Sequence, residues 1–155
     1  MTVSKESPFP AIKVSADGVT LCRGCSQSGA CQLGVMQTDV HNGMQTITSS
    51  AECPPEWEGG PGVAHGGWIA GVFDEVLGTL PCRLDVPCVT ASLVVEFLKP
   101  VPIARAVTVS GRVESHLGRR WCVTGTMRLV GDERDLARAT AHLVEPAPDH
   151  FTKVR

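Results

Sequence analysis

No run of apolar residues in this 155-residue sequence is long enough to cross a bilayer. The first ten residues, MTVSKESPFP, lack the apolar centre of an export signal. Like charges never gather into a block, and 14 basic against 16 acidic residues give a formal net charge of −2. A nucleic-acid surface needs a basic stripe, and none is present. Internal repeats and low-complexity tracts are missing too. These absences point to the cytoplasm, with neither a membrane nor a nucleic acid as partner. What remains is 43% hydrophobic and 19% charged, a balance that supports a packed core. The length fits one domain.

Seven cysteines is an odd count, and a cytosolic protein keeps its thiols reduced, so most should act as small apolar side chains. Cys22, Cys25 and Cys31 form C-x₂-C-x₅-C within residues 1–34, a loop-rich N-terminal extension holding Pro8 and Pro10. Zinc takes four ligands, and His41 or Cys53 could supply the fourth. A second C-x₂-C pair is absent, so the plainer expectation is an extension packed on the core with no metal. The remaining residues, 35–155, read as a single domain.

Val35–His41 and then Met44–Ser50 read as strands, followed by a loop rich in Pro and Gly from Cys53 to Gly62. The period then changes. Trp68, Ile69, Val72, Phe73, Val76, Leu77 and Leu80 recur at the spacing of one helical stripe, and Pro81 should stop that helix. Beyond Pro87 the period is two. Residues 91–98, 107–114, 121–129 and 137–143 place apolar residues at every second position. Strands joined by turns this short pair antiparallel. One long apolar helix against one antiparallel sheet is an α+β domain.

Most of the chemistry lies in GPGVAHGGWIAGVFDEVLG. His65-Gly66-Gly67 stands where a glycine-rich loop becomes the helix. Backbone N–H groups collect at a helix N-terminus and favour negative charge, such as a carbonyl turning into an oxyanion. Placed on a wheel of about 100° per residue, Asp74 points away from the core stripe, among Ala70, Gly71, Leu77 and Gly78. Small residues there imply that a ligand or another subunit packs over this face, leaving Asp74 half-buried. An ordinary surface aspartate is the competing reading. Glu75, on the other flank, is the second-choice carboxylate.

HGGWIAGVFDEVLG, preceded by GPGVA and followed by TASLVVEFLKPVP (Thr90–Pro102), resembles the hotdog-fold acyl-CoA thioesterases of the phenylacetate-pathway type. The resemblance covers roughly residues 35–145. It implies a long central helix wrapped by a curved antiparallel sheet, assembled as a homodimer or homotetramer with each active site between two subunits. It implies an acyl-CoA substrate and no cofactor. Asp74, nine residues after His65 as the family's acid is, would be the general base or the nucleophile. The Gly67 N–H would polarise the carbonyl, His65 would hold the loop, and Thr90 would sit near the attacking water. Gly66, Gly60, Ser92 and Trp68 would contact substrate, with Trp57 and Phe73 as further candidates for the acyl pocket. Lys99, Arg105, Arg119 and Arg120 are candidates for the CoA phosphates. Many members carry Asn or Gln six or seven residues before the histidine, where this chain has Gly59 and Glu58. A hotdog module that binds acyl-CoA or another apolar ligand without hydrolysis is therefore the alternative.

Overall fold

The computed structural model describes residues 31–41, 43, 45–82 and 86–153. Six strands and one long helix follow in the order β1 (Val35–His41), β2 (Thr46–Glu52), a short 3₁₀ turn (Pro55–Trp57), α1 (Gly66–Cys82), β3 (Val89–Phe97), β4 (Ala106–Leu117), β5 (Arg120–Leu129) and β6 (Ala137–Val144). The strands form one antiparallel sheet in the order β1-β2-β4-β5-β6-β3, so β1 and β3 are its edges. The sheet wraps α1, which touches all six strands. The expected helix-and-sheet α+β architecture is what the chain adopts. Strand β2 ends two residues later than its alternation suggests.

The core lies between α1 and the inner face of the sheet. Trp68, Val72, Phe73, Val76, Leu77 and Leu80 are fully buried from the helix side. Val107, Val109, Val123, Met127, Ala141 and Leu143 meet them from the sheet. Leu77 corrects the wheel reading, which grouped it with Asp74. Its Cδ2 lies 2.6 Å from where a Cβ on Gly111 would stand and 2.9 Å from the same point on Gly125. The sheet curls around the helix, which touches all six strands, so residues on the flank are core as well.

Pro81 does not end the helix. It lies in the last turn, is buried, and is followed by one more helical residue. A proline there forfeits one backbone bond near a terminus whose carbonyls are already short of donors, which costs less than in mid-helix.

A side chain at Gly125 has nowhere to go, because the Ser110 carbonyl oxygen also stands 2.9 Å from the Cβ position. Gly125→Ala is expected to lower the unfolding free energy by about 1–3 kcal/mol. Urea titration should show an earlier midpoint at unchanged slope.

Candidate active site

The loop 58–65 turns back on itself before α1 begins. Gly59 N–H donates to the Val63 carbonyl at 2.9 Å and Val63 N–H to Gly60 at 3.1 Å. Glu58 takes the Gly62 N–H on its carboxylate, and His65 N–H donates to the Trp57 carbonyl at 2.8 Å. This explains the departure at positions 58 and 59. A Cβ on Gly59 would stand 3.0 Å from the His65 Cα, so the close turn needs glycine there, and Glu58 is engaged within the loop.

His65 caps the helix. Its carbonyl accepts the Trp68 N–H at 3.0 Å and the Ile69 N–H at 3.3 Å. Its ring Nδ1 accepts the Gly67 N–H at 2.9 Å. A serine or aspartate at a helix N-cap makes the same bond through oxygen. An Nδ1 that accepts carries no proton, so the neutral ring holds its hydrogen on Nε2. His65 and the Gly67 amide are both exposed to solvent.

Two turns further on, Asp74 is exposed and its Oδ1 accepts the Thr90 hydroxyl at 2.6 Å. In the single chain Asp74 is therefore not half-buried. The stripe of small residues around it is partly covered from within, since the Leu33 methyls lie 3.3 and 3.4 Å from where a Cβ on Gly71 would be. The Trp68 indole N–H ties down the same segment by donating to the Leu33 carbonyl at 2.8 Å.

A register shift between Thr90 and Ser92 decides which hydroxyl reaches Asp74. One extra residue, Ala91, turns Thr90 to the helix side and leaves Ser92 out of phase with it. Beyond the shift, Leu93 and Val95 pack on the core while Val94 is 61% exposed.

Gly67 and Asp74 lie on one stripe of α1. Seven residues turn the helix through about 700°, within about 20° of two full turns, and advance it about 10 Å. The strand β3 runs beside that stripe, with Thr90 at Asp74 and the Phe97 ring against Gly66. The Gly67 amide and the Asp74 carboxylate thus stand about 10 Å apart along one side of the helix.

The other expected residues fall in different places. Trp68 and Phe73 are fully buried core side chains. Trp57 is exposed on the 3₁₀ turn, and Gly60 belongs to the loop turn. Arg119 donates to the Glu145 carbonyl at the end of the β4–β5 hairpin. Lys99 borders a groove beside the helix mouth, a groove that sequence reasoning missed. Its residues are scattered over two loops, a strand end and the first turn of α1, with no local pattern to mark them.

Residues 61–134 match the family model described as the thioesterase superfamily. The chain carries the hotdog fold. Acyl-coenzyme A thioesterase THEM4 of mouse is 30% identical over 92 residues, 59% of this chain and 40% of that protein. The chain thus spans well under half the length of the curated relatives it matches. A Streptococcus mutans protein bound to acetyl CoA superposes with a TM-score of 0.64 at 18% identity, covering 74% of this chain and 88% of that one. A hypothetical thioesterase of Streptococcus pneumoniae, solved with an aspartate replaced by alanine, gives 0.62 at 15% identity, covering 70% and 89%. The S. pneumoniae hypothetical thioesterase has also been solved with a threonine replaced by alanine.

Among the described residues, no three His, Cys, Asp or Glu side chains stand close enough to share a metal ion. Cys22 and Cys25 lie outside the described residues, and Cys31 packs beside the core. Burial pushes the Cys53 thiol up to about 11. Burial, and then the charges of Cys82 and Glu145, push Cys88 up to about 12. Thiolates are the reactive form, so at pH 8 iodoacetamide should leave both unlabelled in native protein. Peptide mapping after unfolding should find both labelled.

Proposed function

We infer that this chain hydrolyses acyl-CoA-type thioesters to the free acid and CoA. The observation that carries the reading is Asp74 held by the Thr90 hydroxyl, at 2.6 Å, on the same helix whose first turn presents His65, Gly66 and Gly67. The match of residues 61–134 to the thioesterase superfamily and the likeness to an acyl-coenzyme A thioesterase support it. The S. mutans neighbour's bound acetyl CoA is consistent with a CoA ester as substrate. In the S. pneumoniae neighbour the replaced aspartate and threonine are sixteen residues apart, as Asp74 and Thr90 are here.

In this mechanism Asp74 takes a proton from water, with Thr90 fixing the carboxylate or the water, or else attacks the carbonyl carbon itself. General-base assistance contributes about 10²–10⁴-fold. The Gly67 N–H, held by His65 in the free chain, turns to the thioester oxygen as it gains charge, a contribution of about 10²–10³-fold. In the first route the tetrahedral adduct expels the CoA thiolate, which takes the proton back from Asp74; in the second the thiolate leaves an acyl–Asp74 anhydride, which water hydrolyses to the free acid and the restored carboxylate.

The separation of about 10 Å along one helix supports a site built from two copies. The edge strand β3 supports the same reading. It exposes Val94 and Phe97, at 61% and 58%, along an edge that no described strand covers. Unpaired edges recruit further strands. Two β3 strands paired antiparallel about a two-fold between Leu93 and Val94 set Thr90 of one copy across from Phe97 of the other. Because Phe97 packs on Gly66, that register brings one copy's Asp74 to the other copy's helix mouth. The assembly is then a homodimer, or a homotetramer of two such pairs.

Free-thiol release from a panel of acyl-CoAs tests the activity. Asp74→Asn should reduce turnover by about 10²-fold or more with an unchanged circular dichroism spectrum. Wild-type rates in that variant would remove the assignment.

A further inference from the structure

The groove beside the helix mouth has no part in the chemistry at Asp74. Its volume is about 450 Å³, within the range of small-molecule sites. Val63, Ala64 and Ile69 form one side, and Phe97, Leu98 and Val101 the other. Gly66 borders it as well, so it opens directly on the amides of the first helical turn. Lys99 is its one charged side chain. Phe97 and Leu98 are 58% and 44% exposed in the single chain, and Phe97 lies where the groove meets the β3 edge that the proposed pairing covers.

A polar occupant would find few partners there. The N–H groups of Val63, Ala64, Ile69, Leu98 and Lys99 already donate to the carbonyls of Gly60, Val101, His65 and, for the last two, Leu136. Pro100 has no N–H to give. Amides placed against such walls find few free donors to replace their water, whereas hydrocarbon needs none. The pantetheine arm of a CoA ester carries amides, and an alkyl acyl chain carries none.

Resting on the thioesterase reading, we propose that this groove receives the hydrocarbon of the acyl group. Phe97 and Leu98 set a preference for medium-length straight chains over acetyl. The carbonyl then sits at the Gly67 amide, and the pantetheine arm leaves on the side away from the groove.

The test compares straight-chain acyl-CoAs from acetyl to decanoyl. Wild-type kcat/KM should climb, at most about fourfold per methylene, until the groove is filled. In a Phe97→Asn, Leu98→Gln double variant that still elutes as the wild-type assembly, the octanoyl-to-acetyl ratio should fall roughly tenfold or more. A flat wild-type profile, or an equal loss on both substrates, overturns the proposal. Titration with S-octyl-CoA and S-ethyl-CoA, thioethers that cannot be hydrolysed, separates the two claims. If no ester is cleaved but the octyl compound binds tenfold or more tighter than the ethyl, and the double variant erases that gap, the groove stands and the hydrolase reading fails. Equal binding of the two thioethers overturns the groove whatever the esters show.

Discussion

Leu77 pressed against Gly111 and Gly125 sets the distance between the helix and the sheet, and the rest of the molecule follows from that approach. With a side chain at either glycine, Leu77 would have to give way or the helix lift from β4 and β5. Because it does not, the sheet can curl around it and bury Phe73 and Val76 as well as Leu77. The only stripe of α1 left outside the sheet is the one carrying Gly67, Gly71 and Asp74. The edge strand β3 is drawn alongside that stripe, and Thr90 meets Asp74 as a consequence of packing two layers away. A core contact made by three apolar or hydrogen-only positions thus fixes where a polar pair sits.

The helix mouth is held by different means. Its loop is closed by its own backbone and by Glu58, and it hands over to the helix through His65. A histidine in the N-cap place keeps the Gly67 amide satisfied in the free chain while leaving it at the surface. That bond is a neutral one, weaker than the charge-assisted bond an oxyanion can offer to the same N–H. Under the proposed hydrolysis, that exchange would favour the charged state of the reacting ester over its ground state. The apolar groove next to it is walled by backbone whose donors are engaged elsewhere, so polarity and hydrocarbon are separated within one mouth.

Much of this is legible in the sequence. The change of period from two to 3.6 residues and back marks α1 and the strands after it, and an aspartate among small residues on an otherwise apolar helix marks Asp74. Thr90 could be placed near it only through the resemblance. The shift at Ala91 that turns it inward has no glycine or proline to announce it. Leu77 was assigned to the wrong side because a wheel assumes a flat partner, whereas a curled sheet takes more of the circumference. The covering of Gly71 by Leu33 is a contact between distant parts of the chain, and no local pattern encodes it. The glycine at position 59 looked like a missing polar side chain, but it is the steric requirement of a loop that returns to His65.

The most direct measurement of whether two copies share each site is a mixture of two damaged chains. One carries Asp74→Asn. The other carries Gly67→Pro, which removes the amide at a helix start where proline is tolerated. Co-produced and purified as mixed pairs, they should recover roughly half of wild-type thioester hydrolysis, since each mixed dimer keeps one intact site of its two. Mixed pairs that form and remain inactive would mean that Gly67 and Asp74 act within one chain, contradicting the shared site.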